Sequence, residues 1–149
     1  MSSKKVIDKF DGEFAFLSNF YDAPIRYMNE DYANTESAFQ AMKCANPADR
    51  KPFQYDCPPN IAKRMGRTVH LRPDWEEVKE PIMEEIVRVK FAQHRDLMDK
   101  LIATGDATLI EGNHWHDNTW GDCHCPKCAS IKGKNMLGKI LMRIRDSYI

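Results

Sequence analysis

The chain has 149 residues, 42% of them apolar and 30% charged, the size and balance of one folded domain and not of a disordered segment. Its 22 basic and 22 acidic residues cancel. That argues against a surface that wraps a long stretch of nucleic acid, and leaves room for a pocket holding one or two phosphates.

The opening MSSKKVIDKFDG has no apolar core of the kind a signal peptide needs, and no apolar run approaches a membrane span. Five cysteines, an odd number, point to free thiols or a metal site in place of a disulfide framework. A cytoplasmic protein is expected. In FAFLSNFY, residues 14–21, Phe14, Phe16, Ser18 and Phe20 alternate with Ala15, Leu17, Asn19 and Tyr21, which predicts a strand. PIRYMNEDYAN continues as a hairpin turning at Asn29-Glu30-Asp31. TESAFQAMKCA reads as a helix capped by Asn34 or Thr35. A Pro-rich connector, NPADRKPFQYDCPPN, leads to a short helix around Ile61–Met65.

Asp74, with Glu77 three residues on, is a variant capping box. It opens a long helical region in which Val78, Ile82, Ile86 and Val89 share a face, and Pro81 either kinks it or starts a second helix. Leu97, Leu101 and Ile102 extend the pattern to a stop at Thr104-Gly105. TLIEG is a short strand, and residues 113–132 form a loop rich in Trp, His and Cys. The last helix starts at a cap, Asn135, and buries Leu137, Ile140, Leu141 and Ile144. The expectation is a single α+β domain over residues 1–149, mainly helical, with a small β-sheet.

Four stretches can carry chemistry. In the helix from Thr35, the spacing i, i+4, i+7 puts Glu36, Gln40 and Lys43 on one polar stripe beside Phe39 and Met42. Glu36 lies in the first turn, where the helix dipole favours its ionised form. Lys43 can bind phosphate or, if burial lowers its pKa, act as an amine nucleophile. The same spacing also describes a solvated stripe with a Glu–Lys pair. In HDNTWGD, Asp117 precedes Trp120-Gly121. Trp offers a stacking platform and Gly a close approach to the backbone, or else the Trp anchors the loop on the core. GKNMLGK, residues 133–139, matches the letter pattern of a phosphate loop, but Ile140 stands where Ser or Thr would hold magnesium. Gly133 and Asn135 are left as a simple cap or as an anion site made of free backbone N–H groups. Cys123, Cys125 and Cys128 have the spacing of a structural zinc site whose fourth ligand would be His114, His116, His124, Cys44 or Cys57. An unmetallated loop is the other reading, and a C-P-K-C redox pair lacks a thioredoxin-like context.

FLSNFY, TESAFQAMK, Asp117 to Gly121 as D-x-x-W-G, and GKNMLGKILMRIR, in that order and over nearly the whole chain, resemble the YbiA-like proteins of the NADAR superfamily. The resemblance implies a compact α+β fold and cleavage of a ribose–nitrogen N-glycosidic bond. The substrates it implies are phosphorylated ribosylamino-pyrimidine intermediates of riboflavin synthesis or, alternatively, ADP-ribose on guanine in nucleic acid. A third alternative is a module that binds ADP-ribose or NAD without cleaving it. It implies Glu36, Lys43 and Asp117 as catalytic residues and Asn19, Trp120, Gly121 and Asn135 as substrate contacts; Phe20 or Tyr21 would stack the heterocycle with Trp120, and Gln40, on the stripe with Glu36 and Lys43, is expected to contact substrate as well. Arg64 or Arg67 would hold phosphate. No cofactor and no membrane are expected, with nucleic acid only as a modified substrate. An ionised carboxylate beneath the anomeric carbon would stabilise oxocarbenium character there. The Cys-rich stretch before Gly133 departs from the family, many of whose members have a Gly/Ser/Asp-rich loop at that point.

Overall fold

A computed structural model describes residues 5–148. Met1–Lys4, part of the stretch read for a leader, and Ile149 lie outside that range. In chain order the elements are β1 (Val6–Ile7), β2 (Ile25–Tyr27), β3 (Glu30–Tyr32), α1 (Thr35–Ala41), α2 (Pro59–Met65), α3 (Trp75–Gln93), α4 (Arg95–Ala103), β4 (Thr108–Leu109), β5 (Gly112–Asn113), β6 (Asp122–Cys123) and α5 (Met136–Ser147). The α+β class is as expected. The strands form three two-stranded pairs: β1 with β4 in parallel, β2 with β3 antiparallel, and β5 with β6 in parallel. No helix among the described residues is long and apolar enough to cross a membrane.

The chain divides into two compact units. One is Asn19–Arg95; the other combines the chain on either side of it. In the Asn19–Arg95 unit, the β2–β3 hairpin turns at Met28-Asn29, both with positive φ (51° and 65°). That is the backbone demanded by a two-residue turn whose twist matches the strands, and it lies just before the turn expected from Asn29-Glu30-Asp31. α1 packs against α2, α3 and a 3₁₀ turn at Pro47–Phe53. The Phe39 and Trp75 rings meet at 5.1 Å between centroids, a favourable tilted aromatic contact.

α3 runs unbroken through Pro81, which sits on its exposed side. Its buried face is Met83, Ile86, Val87, Lys90 and Phe91; of the four residues assigned to that face from sequence, only Ile86 is fully buried. Asp74 does not cap the helix with its side chain. Its carboxylate instead accepts from Arg72 Nε at 2.6 Å and Nη2 at 3.0 Å.

The other unit is built on α5, whose Leu137, Ile140, Leu141 and Ile144 are all buried as the periodicity required. Arg145 is buried beside them and donates from Nη1 to the Ala107 carbonyl at 2.7 Å and to Thr104 Oγ1 at 3.1 Å. This gives the buried guanidinium the hydrogen bonds it needs. α4 ends as expected: Gly105 takes φ +64° and its N–H donates to the Ile102 carbonyl.

The strand expected at FAFLSNFY is a 3₁₀ helix, Gly12–Leu17, entered through Gly12 at φ +55° and closed where Ser18 N–H donates to the Ala15 carbonyl. Consecutive residues Phe16 and Leu17 are buried. Strand alternation cannot bury two neighbours on one face, whereas a tight helical turn packed at an angle can.

Candidate functional site

The first concentration of predicted site residues lies on α1. Asn34 starts the helix, its Oδ1 accepting the Ser37 N–H at 2.8 Å. All seven residues of α1 are buried. Glu36 and Gln40 are therefore not part of a solvated stripe; they retain 7% and 6% of their exposure. A buried carboxylate is costly unless its lone pairs are engaged. Gln40 Nε2 donates to Glu36 Oε1 at 2.8 Å, and the Glu36 N–H, one of the helix's orphan donors, is taken by the Asn19 carbonyl at 3.2 Å. Gln40 Oε1 is buried with no hydrogen-bond partner among the described residues. Gly66, at the end of α2, comes so close that a Cβ there would strike the Gln40 amide.

Lys43 lies just beyond the helix, its N–H still bonded to the Gln40 carbonyl at 3.1 Å. Burial pushes the pKa of its ammonium down. The Glu36 carboxylate pulls the other way, and Arg67, Lys63 and Lys79 add to the lowering. The Lys43 Nζ lies 5.9 Å from the Trp75 ring centre and Lys63 Nζ 5.8 Å from that of Phe20. Four cationic side chains thus share a field with one buried carboxylate, and Phe20 stands exposed at its margin (43%). Of the two arginines considered for phosphate, Arg67 is the one whose charge acts on Lys43.

Asn19 is buried and its Nδ2 lies 3.4 Å from Met83 Sδ. The fold therefore brings Asn19, Glu36, Gln40 and Lys43 into one neighbourhood. Sequence reading missed Lys90. It is 1% exposed, its Nζ lies 5.8 Å from the Tyr21 ring centre, and burial lowers its pKa to about 7. The available signal was a lysine i+4 from Ile86 and i+7 from Met83 on an apolar face.

The remaining predicted residues belong to the other unit. Asp117 Oδ1 accepts the N–H groups of Thr119 (3.1 Å) and Trp120 (2.9 Å), so this carboxylate shapes the turn that carries Trp120. Gly121 is required where it stands, because a Cβ would run into the Glu111 carbonyl. Asn135 adopts φ +50° and makes no side-chain cap. Its Oδ1 accepts from Glu111 N–H and its Nδ2 donates to the Leu109 carbonyl, both at 2.9 Å.

The anion site considered at the start of α5 does not exist. Gly133 N–H donates to Asp122 Oδ1. The N–H groups of Lys134, Asn135, Met136 and Leu137 donate to the carbonyls of Asn118, Gly121, Thr119 and Trp120. The 117–122 loop occupies the place an anion would take.

Of the five candidate fourth ligands, the structure selects His116. Its ring, with Cys123, Cys125 and Cys128, forms a group whose donor atoms all lie within 4.8 Å of one another. Cys44 and Cys57 are buried elsewhere, their sulfurs near the Asp49 and Pro58 carbonyls. His114 stacks edgewise on His124, with centroids 6.4 Å apart.

Comparison with known proteins gives a consistent picture. The NADAR domain family matches residues 7–148. N-glycosidase YbiA of Escherichia coli (strain K12) is 37% identical over 136 residues, covering 90% of this chain and 81% of that protein. Riboflavin biosynthesis protein VVA0006 of Vibrio vulnificus is 33% identical over 138 residues, covering 91% of this chain and 36% of that longer protein. The NMR structure of the E. coli protein YbiA superposes with a TM-score of 0.85 at 34% identity, covering 99% of this chain and 87% of that one.

Proposed function

The chain belongs to the NADAR domain family, and from that premise we propose that it hydrolyses the N-glycosidic bond between ribose and nitrogen in small phosphorylated ribosides of the kind formed in riboflavin synthesis. Relatives named N-glycosidase support the reaction class, and a relative named riboflavin biosynthesis protein supports the substrate class. The family match runs through both units, which supports reading residues 1–149 as one NADAR domain. The observation that carries the proposal is the burial of Glu36 within a field of lysines and arginine.

The chemistry follows from that neighbourhood. As the C1′–N bond lengthens, positive charge builds at the anomeric carbon, and the Glu36 carboxylate stabilises it. A water attacks C1′ and gives its proton to Glu36. Lys43, made more acidic by burial and by its cationic neighbours, gives a proton to the departing nitrogen. Gln40 holds the carboxylate in place through its 2.8 Å bond. Lys63 and Arg67 take the phosphate, and exposed Phe20 offers its face to the heterocycle. Asp117 and Asn135, whose side chains are engaged in building their loop, serve this reading as scaffold, and Trp120 as a ring held at the loop's end.

The lowered pKa of Lys43 also favours a second route, in which the ring oxygen leaves C1′ to give an open-chain imine on the substrate nitrogen, the neutral Lys43 amine adds to C1′ and expels that nitrogen with the amine's proton, and water hydrolyses the resulting Schiff base to the free sugar. ADP-ribose on guanine is the alternative substrate, since the cationic field suits a diphosphate as well. Incubation with a panel of free ribosides and an ADP-ribosylated oligonucleotide, with mass analysis of the released base, separates the substrates. Borohydride during turnover tests the second route: a covalent sugar adduct on Lys43 establishes it, and an unmodified protein leaves direct hydrolysis. Glu36→Gln is expected to lower kcat by a factor on the order of a hundred or more with folding intact. Unchanged turnover removes Glu36 from the reaction, and binding of ADP-ribose without any released base in the parent protein would replace the enzyme reading with a sensor.

A further inference from the structure

We propose that His116, Cys123, Cys125 and Cys128 form a closed tetrahedral zinc site whose task is to fix the loop that carries Asp117–Gly121. The distances are the first argument. Zinc binds thiolate at about 2.3 Å and imidazole at about 2.0–2.1 Å. Tetrahedral angles then require sulfur–nitrogen separations of about 3.6 Å and sulfur–sulfur separations of about 3.8 Å. His116 Nδ1 stands 3.3 Å from Cys125 Sγ, 3.4 Å from Cys128 Sγ and 3.9 Å from Cys123 Sγ, values that bracket the requirement. Without an ion, the three thiols and the imidazole share only weak sulfur hydrogen bonds, whereas a single cation at the centre engages all four donor atoms.

The surroundings are those of a ligand set held in place. His116 N–H points at Cys123 Sγ (3.3 Å) and Asn118 Nδ2 at Cys128 Sγ (3.4 Å), donors that stabilise thiolate charge. Asn118 Oδ1 in turn accepts the Cys123 N–H at 2.9 Å. His116 adopts φ +68°, an uncommon backbone for a residue other than Gly, which brings its ring to the sulfurs. Four protein donors leave no open position, so the site is structural and supplies no water for catalysis.

The loop between β5 and α5 also has a need for such a staple. Its only regular elements among the described residues are the two-residue β6 and a three-residue 3₁₀ turn at Pro126–Cys128. It nonetheless presents the carbonyls of Asn118, Thr119, Trp120 and Gly121 to the N–H groups at the start of α5. A redox pair at Cys125 and Cys128 would leave Cys123 and His116 without a purpose.

The test is metal content and metal geometry. Protein expressed in zinc-supplemented medium and purified without chelator is expected to carry about one zinc per chain. Cobalt titrated into chelator-stripped protein is expected to give the intense ligand-field bands of a tetrahedral site together with thiolate charge-transfer absorption. Cys125→Ser and His116→Ala are expected to weaken zinc retention in a competition with a colorimetric chelator by about tenfold or more, and Lys127→Ala to leave it unchanged. Stripping is expected to raise amide exchange across residues 113–137. Less than about a tenth of an equivalent of zinc, or cobalt spectra without thiolate charge transfer, would overturn the site. Both readouts use the parent sequence, so they decide the matter even if a variant fails to fold.

Discussion

Lys90 is the residue at which charge and burial are most directly opposed. With the residue at 1% exposure and its pKa held to about 7 by burial against an ordinary 10.5, the folded protein gives up a proton that the unfolded chain keeps. Between about pH 7 and 10.5 the unfolded state binds more protons, so stability rises with pH through that window. Below it both states are charged and the full cost of burying the ammonium is present; above it both are neutral and the cost is gone. Lys90→Met removes the titration. Urea unfolding at intervals from pH 7 to 10 is expected to show the parent gaining stability as pH rises and the variant gaining much less. Equal slopes in the two proteins would mean that Lys90 stays protonated in the fold, held by something stronger than the 5.2 Å approach of its Nζ to the Phe91 ring centre.

At the level of elements, the approach of α2 to α1 carries a prediction of its own. Gly66 has φ −61°, which any residue adopts, so alanine there would ordinarily stabilise by about 0.4–1 kcal/mol. The Gln40 amide occupies the position of the added methyl, and Gln40 is what holds Glu36. Gly66→Ala is therefore expected to lower kcat on the order of tenfold to a hundredfold while the melting temperature moves by only a few degrees; full activity with raised stability would show the contact to be unimportant. The same elements show what a sequence can and cannot reveal. The α5 stripe was legible because an i, i+3, i+4, i+7 pattern of four aliphatic residues fits no other period. The stripe of Glu36, Gln40 and Lys43 was equally legible as spacing, but spacing is blind to what covers a face, so its burial required tertiary structure. The α3 face was misplaced because Lys90 counts as polar in any pattern, which hid the row that includes it. The alternation in FAFLSNFY suggests period two, whereas its first four residues close a 3₁₀ helix and the rest turn, since eight residues are too few to separate the two. The partners of the α5 N-terminus come from carbonyls fourteen or more residues away, and nothing local announces them.

For the molecule as a whole, the question is how a chain of zero net charge would attract the phosphorylated substrate proposed for it. Long-range steering is weak when acids and bases cancel, so attraction has to come from local clusters acting within about one Debye length. Two clusters exist. One surrounds Lys43 with Lys63, Arg67 and Lys79; the other is the exposed set of Lys132, Lys134, Lys139 and Arg143 beside and along α5. They make different demands of salt. A riboside phosphate engaging only the first replaces one or two counterions, which gives a log–log slope of KM against salt near 1. An enzyme that reads modified nucleic acid through the second would neutralise further backbone phosphates, each adding about 0.7 to the slope on single strands. The expected outcome is a slope near 1 for the free riboside that does not steepen when an ADP-ribosylated guanine is offered in progressively longer oligonucleotides. Arg67→Gln should reduce that slope and raise KM for the phosphorylated riboside while leaving the dephosphorylated one nearly unaffected. A slope that grows with oligonucleotide length, and falls back when Lys134 and Lys139 are replaced by glutamine, would transfer the assignment from the free metabolite to nucleic acid.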